Sequence, residues 1–436
     1  MRMTSSYGVE ILKLNKPLKR TLKAAREAVE WLLPVIGREW EGLKQISGEK
    51  RRFNAAEKLI HETRDNQAKY PFDRHFPKMP SYLRRAILQH VIGQVSSADT
   101  RRTAEEKAPG ETREKQSGIR TGEQHYMPVF YRDNMYRSGE EGTFLKLYNG
   151  SDWVWQQVEL RKTDMDYLKK HWTGKREKAP ILVKRHKKYF LQFAFEEQVT
   201  LTDRNIWEQR ICAVDLGINT DAVCSIMRAD GTVAARRFIS FAAEKDHLYH
   251  VLGRIRGKQR KNGPKSVRSL WAYAGRLNDE IARKTAGAIT DFAKEHGTDV
   301  IVFEHLDTRG RIRGKNRQRL HMWKKMEVQK VTEHHAHRLG MRISRICAWK
   351  TSALAYDGSG PVERDPDNHS LATFRNGKRY NCDLSASYNI GARYFIREIL
   401  KSVPETEQSL LTAKVPGAGR RTSCVYADLI SLAACM

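Results

Sequence analysis

Residues 211–240 read ICAVDLGINTDAVCSIMRADGTVAARRFIS, and the rest of the chain is organised around them. Ile211, Ala213, Val214 and Leu216, followed by Ala222, Val223 and Ile226, are apolar at strand-like density. Asp230-Gly231 reads as a two-residue hairpin turn, because both positions tolerate positive φ. One carboxylate, Asp215, sits inside the run. An acid among apolar residues loses hydration unless a cation or a donor replaces the water. Gly217 and Asn219 follow at once and let the backbone bend there. Taken alone, Asp215 reads first as a turn cap; two further acids downstream change that reading.

At 436 residues the chain is too long for one compact core, so two or three domains are expected. Hydrophobic residues make up 40%, enough for globular folding. No run approaches the roughly 20 apolar residues of a membrane span, and MRMTSSYGVE lacks a secretory core. A cytoplasmic protein with no membrane partner is expected. The six cysteines form no C-x-x-C pair, which suits a reducing compartment and supplies no disulfide framework. Lys and Arg number 79 against 51 acids, a formal net charge of +28. Self-repulsion of that size is relieved by a polyanion, so nucleic acid is the leading partner.

Residues 4–15 read as a strand, and the pattern turns helical from Leu18 to about Ser97. SYLRRAILQHVIGQVSS (81–97) is the clearest helix of this half, with Leu83, Ile87, Val91 and Val95 on one stripe. Arg84, Arg85 and Gln89 lie elsewhere on its circumference, either as a solvated face or as contacts to a duplex. Residues 99–125 are almost devoid of large apolar side chains and read as a mobile linker. Five short segments of period two follow between 126 and 195, as in a small β-barrel or curved sheet. With the N-terminal strand added, the helical block becomes an insertion into that barrel.

After the Asp215 hairpin, Arg254, Arg256, Lys258, Arg260 and Lys261 form a basic arm suited to phosphates. A long amphipathic helix then stops at Gly297, and TDVIVFEHL (298–306) is a buried strand ending in Glu304. A second basic loop carries Arg311, Arg313 and Lys315. The EHHAH run (333–337) reads as a solvated helix face. Asp383 directly precedes a helix beginning near Leu384, where a carboxylate is commonly an N-cap. After Pro404 the tail loosens, with a final helix around 424–434.

Asp215, Glu304 and Asp383 come from distant positions that an α/β sheet brings together. Three neighbouring carboxylates raise one another's pKa unless a divalent cation neutralises them. Oxygen-only ligation favours Mg²⁺ or Mn²⁺ over zinc. The chemistry implied is phosphodiester hydrolysis.

AVDLGIN, IVFEHL and NCDLSASYNI resemble, in order, the three motifs of RuvC-like nucleases, and most closely those of the TnpB nucleases and compact type V CRISPR effectors. The resemblance is specific over 207–395 and looser before it. It implies a multidomain α+β protein. An RNase H-like (RuvC) α/β nuclease domain (206–347 and 381–402) accompanies a wedge β-barrel (1–17 and 126–205). A helical recognition domain (18–125) interrupts the barrel, and 403–436 forms a C-terminal tail. It further implies Asp215, Glu304 and Asp383 as catalytic metal ligands, with a guide RNA and double-stranded target DNA as partners. Cleavage is expected next to a short motif read by the protein, for which the Arg85–Gln89 face is the candidate. The alternatives are a guide-dependent DNA binder without efficient cleavage and a structure-selective junction resolvase.

One departure is plain. The family carries a four-cysteine zinc ribbon entered by a Thr-Ser pair. Here Thr351-Ser352 remains, yet residues 348–380 hold no C-x-x-C, and Cys347, Cys382 and His369 do not complete a tetrahedral set. The segment is expected to form a ribbon held by packing and hydrogen bonds. Metal analysis of the purified protein should therefore find no stoichiometric zinc; one tightly bound zinc per chain would overturn this.

Overall fold

The computed structural model describes residues 1–13, 16–106, 126–139, 142–185, 188–263, 267–306, 322–420 and 422–436. Arg311, Arg313, Lys315 and most of the expected linker lie outside them. The chain divides into two compact units, Arg2–Gln198 and Val199–Met436, Met1 grouping with the second.

In the first unit the strands are β1 (Arg2–Ile11), β2 (Tyr136–Gly139), β3 (Gly142–Tyr148), β4 (Trp153–Val158), β5 (Arg176–Glu177), β6 (Ile181–Arg185) and β7 (Lys188–Gln198). β7 is the hub. β1 pairs antiparallel along its whole length, from Arg2 opposite Gln198 to Ile11 opposite Tyr189, while β5 and β6 also join β7. β2, β3 and β4 make a second antiparallel sheet. An isolated bridge, Ile11 to Leu160, connects β1 to the chain leaving β4. Helices Lys16–Lys44, Glu49–Ile60, Phe72–His75 and Ser81–Glu106 intervene between β1 and β2, and Lys162–Trp172 follows β4.

Two expectations change here. Helix Ser81–Glu106 continues through residues 99–106, which the sequence assigns to a linker. The helical block and the strands also share one apolar core, in which Leu22, Leu32, Leu83, Ile87 and Val91 join Leu145, Leu147, Leu191 and Phe193. The two units divide at Gln198, close to the boundary expected at residue 205, and Thr202 hydrogen-bonds to Gly340 and Asp299 within the second unit. Pro34 sits inside helix Lys16–Lys44 without ending it.

The second unit is built on β8 (Ile211–Asp215), β9 (Ala222–Met227), β10 (Val233–Ile239), β11 (Val300–His305) and β12 (Arg342–Cys347), in the order β10-β9-β8-β11-β12. β9 pairs antiparallel with both β10 and β8, and β11 lies parallel to both β8 and β12. β8 and β11 are apolar on both faces because helices cover both. On one side Cys212, Val214, Ile301 and Phe303 pack with Ala286, Ile289 and Phe292 of helix Arg268–Glu295 and Val328 of helix Lys325–Arg338. On the other, Ile211, Ala213, Val300 and Val302 pack with Tyr388, Ile390 and Phe395 of helix Cys382–Ser402. The β9–β10 connection is longer than the expected two-residue turn. It spans 228–232, with Arg228 and Thr232 closing it and only Gly231 at positive φ (87°).

Strands β13 (Glu363–Arg364), β14 (Leu371–Thr373) and β15 (Arg379–Asn381) form a small antiparallel sheet over Ala355, Ala372, Phe374 and Cys382. The tail is packed, not loose: helices Glu405–Lys414 and Tyr426–Ala433 place Leu411, Leu429 and Leu432 in the core beneath helix Cys382–Ser402. No helix among the described residues is long and apolar enough to cross a membrane.

Helix Cys382–Ser402 lies so close to the sheet that a Cβ at Gly391 would collide with Met227 Sδ and sit 3.2 Å from Ala213 Cβ. Gly391→Val should therefore destabilise the fold by about 1–3 kcal/mol through overpacking. Urea denaturation checks this, and an unchanged midpoint would contradict the close approach.

Candidate active site

β8 and β11 run in register from Val300 opposite Ile211 to Phe303 opposite Val214. One further step sets Glu304 beside Asp215. Alternation turns both toward the face carrying Ile211, Ala213, Val300 and Val302, under helix Cys382–Ser402. The third acid stands in that helix's first turn. Asn381 is the N-cap, its Oδ1 accepting from Leu384 N–H at 2.9 Å, so the helix begins at Cys382 and not near Leu384. The Asp383 carboxylate is thereby free of the capping duty that its position suggests. Gly217 closes the bend after Asp215, where any Cβ would lie 2.6 Å from the Thr220 carbonyl oxygen.

Asp215 feels both of the other acids. Burial pushes the Asp215 carboxyl well above the usual carboxylate range, Glu304 and Asp383 push it further, and Arg364 opposes them. Burial also raises Glu304, against the Thr351 hydrogen bond and the charges of Arg393 and Lys325. Asp383 is raised by burial and eased by Arg364. Among the described residues no three His, Cys, Asp or Glu side chains are drawn together closely enough to hold a metal ion. One Glu304 oxygen accepts from the Thr351 hydroxyl. The donor set itself, three carboxylates and no sulfur or imidazole, fits a hard divalent cation.

A network that sequence reading missed holds Glu304. Gln329 Nε2 donates to the Glu304 carbonyl at 2.9 Å, and Arg345 Nε donates to Gln329 Oε1 at 3.2 Å. Asn389 Nδ2 donates to the carbonyls of Thr351 and Leu354, each at 3.0 Å, while its Oδ1 accepts from Tyr426 N–H. Buried Arg393 donates to the carbonyls of Cys347, Trp349 and Cys424 at 2.7–3.1 Å. Arg364, on β13, brings positive charge toward Asp215 and Asp383 from the small sheet. Thr351 had a sequence signal, the Thr-Ser pair; a polar Asn and Arg on an otherwise buried helix were the signal for Asn389 and Arg393.

The expected nucleic-acid contacts fare unequally. Arg84 is corrected: it is 5% exposed, with Nη1 donating to Asp73 Oδ1 at 3.1 Å and Nη2 3.7 Å from Glu57 Oε1. Those two acids offset the cost of burying its charge, so it cannot meet a phosphate. Arg85 is exposed, its guanidinium 5.2 Å from the Phe53 ring and 3.5 Å from Glu57 Oε1; Gln89 is exposed as well. Arg254, Arg256, Lys258, Arg260 and Lys261 are all exposed, on a helix (Ala242–Asn262) that makes the basic arm a rigid rod. The histidines of the EHHAH run are half-buried, not a solvated face.

Residues 5–149 match the model of the Aq_aa04 family. The TnpB-like protein aq_aa05 of Aquifex aeolicus (strain VF5) is 26% identical over 242 residues, covering 49% of this chain and 76% of its own. A cryo-EM structure of a Cas12f1–sgRNA–target DNA complex aligns at TM-score 0.52 and 12% identity, over 95% of this chain and 82% of that one. A crRNA-bound CasPhi-2 (Cas12j) aligns more distantly, at TM-score 0.40 and 10% identity over 89% of this chain and 97% of its own. The Cas12f1 likeness shows a shared multidomain α/β fold.

Because all three carboxyls are raised, the folded chain binds more protons than the unfolded chain above the ordinary carboxylate range. Stability then falls as pH rises through that window. At neutral pH in chelator, Asp215→Asn should raise Tm, by about 2–4 °C for each kcal/mol of burial penalty and repulsion relieved. The same substitution should shrink the Tm gain that millimolar Mg²⁺ gives the parent. A lower Tm for Asp215→Asn in chelator would contradict the repulsion.

Proposed function

We propose that this chain, which resembles the TnpB-like nucleases and compact type V effectors, is an RNA-guided DNA endonuclease with a metal-dependent hydrolytic site. One observation carries the reading: Asp215 and Glu304 point to one covered face at the carboxyl ends of two adjacent parallel strands, and Asp383 stands in the first turn of the helix that covers that face. The order β10-β9-β8-β11-β12, with its antiparallel start and parallel finish, is the one an RNase H-like (RuvC) domain would have, and it supports the same reading.

In this reading the three carboxylates hold Mg²⁺ or Mn²⁺. Such an ion, when bound, activates water and stabilises charge on the phosphate under attack. Thr351 and Gln329 orient Glu304, and Arg364 brings positive charge to the side where an anionic strand arrives. The exposed cations Arg254–Lys261 hold the backbone of a guide RNA–target DNA heteroduplex, so that base pairing selects the sequence. The first unit, with β7 as its hub, combines the wedge and recognition roles. Its Arg85 and Gln89 read the short duplex motif, while double-stranded DNA and the guide RNA are the partners. The second reading, a guide-dependent binder that cuts poorly, draws on the Thr351 hydroxyl that engages Glu304.

The test is direct. Protein purified with its copurifying RNA should cut matched duplex DNA in Mg²⁺ and not in chelator. Asp215→Ala should lower the rate at least 10³-fold, a loss of about 4 kcal/mol of barrier stabilisation, while binding persists. Gln89→Ala should shift motif preference in a target-depletion assay. Binding without Mg²⁺-dependent cutting favours the second reading, and absence of a defined RNA removes both.

A further inference from the structure

Trp349 is the most exposed of the nine tryptophans, at 63%. A single exposed aromatic is ordinary; its scaffolding is not. The residue stands in the turn that leaves β12 for the small sheet. Buried Arg393 pins that turn by donating to the carbonyls of Cys347 at 2.7 Å and of Trp349 itself at 2.8 Å. Two residues on, Thr351 is bonded to the Glu304 carboxylate and to the Ala348 carbonyl, and Asn389 holds its own carbonyl at 3.0 Å. Between them Lys350 adopts a left-handed φ of 56°, which a non-glycine residue keeps only where its surroundings enforce it. A rigid, strained turn tied to a candidate catalytic acid thus presents an indole to solvent. The Lys350 ammonium lies 5.8 Å from its ring centroid.

An aromatic face beside a cation is the chemistry that holds single-stranded nucleic acid: a base stacks, and the neighbouring phosphate meets the charge. We propose that Trp349 is a stacking platform for one unpaired base of the DNA strand delivered to Asp215, Glu304 and Asp383, with Lys350 on the adjoining phosphate. The proposal rests on the nuclease reading for its substrate. It makes Trp349 a positioning residue that fixes where along the strand the bond to be cut lies.

The experiment uses the full chain with its copurifying RNA, silenced by Asp215→Ala. The probes are fluorescein-labelled single-stranded DNAs of ~12 nucleotides, unmodified or with one abasic site at each position in turn. Adding Trp349→Ala should weaken binding about 5- to 150-fold, and Trp349→Phe should recover most of it. One abasic position should weaken binding to the parent by a similar factor and leave Trp349→Ala unaffected. Unchanged melting temperatures show that the variants fold, as an exposed side chain leads one to expect. The stack is overturned if Trp349→Ala binds within about twofold of the parent, or if every abasic site costs both proteins alike. Mg²⁺-dependent cutting with Asp215 intact judges the nuclease reading separately. Cutting without the abasic signature removes only the stack, and the signature without cutting removes only the nuclease.

Discussion

A buried carboxyl is costly to ionise, and in the second unit burial raises Asp215, Glu304 and Asp383 alike. Register puts Asp215 and Glu304 on adjacent strands with their side chains on one face, and neither can turn away without breaking the β8–β11 ladder. Helix Cys382–Ser402 adds Asp383, and it approaches closely only because small residues line its inner side: Gly391 against Met227, and Ser387 hydrogen-bonded to Ser225 at 2.6 Å. Hydrophobic burial on both faces of the sheet offsets the cost of covering these carboxyls.

The small sheet and the tail stabilise this arrangement from outside. Tyr356 lies within 6 Å of the rings of Phe374, Tyr380, Tyr388 and Tyr426, joining the sheet, the helix and the tail in one aromatic cluster. Aromatic packing gives this cluster its cohesion, with Lys378 donating to Tyr356 Oη at 2.6 Å on the outer side. Asn389 and Arg393 then connect that cluster to the turn around Thr351. The site's geometry depends on segments that follow it in the chain.

Basic residues show how little a residue type says by itself. Arg84 and Arg85 are neighbours on one helix. Arg84 faces Glu57 and Asp73 and becomes a buried structural cation, while Arg85 projects outward over Phe53. The five cations of helix Ala242–Asn262 remain exposed on a helix whose Val251 and Ile255 are buried, leaving charge on its solvent side.

Much of the fold was legible in the amino-acid order, because periodicity is local. The stripe Leu83, Ile87, Val91 and Val95 declared a helix, the continuous apolar run before Glu304 declared a strand covered on both faces, and Gly297 marked a helix end with φ of 59°. Asp215 and Glu304 were legible as acids set against apolar strand residues, and Asp383 as an acid at a helix start. Tertiary structure alone decided that Asn381 and not Asp383 caps its helix, that Arg84 is consumed by ion pairs, and that the tail belongs to the core. It also decided that Thr351, Asn389 and Arg393 lock one turn behind Trp349. Each of these depends on partners brought near by folding, and a pattern that repeats every two or four residues carries no record of them.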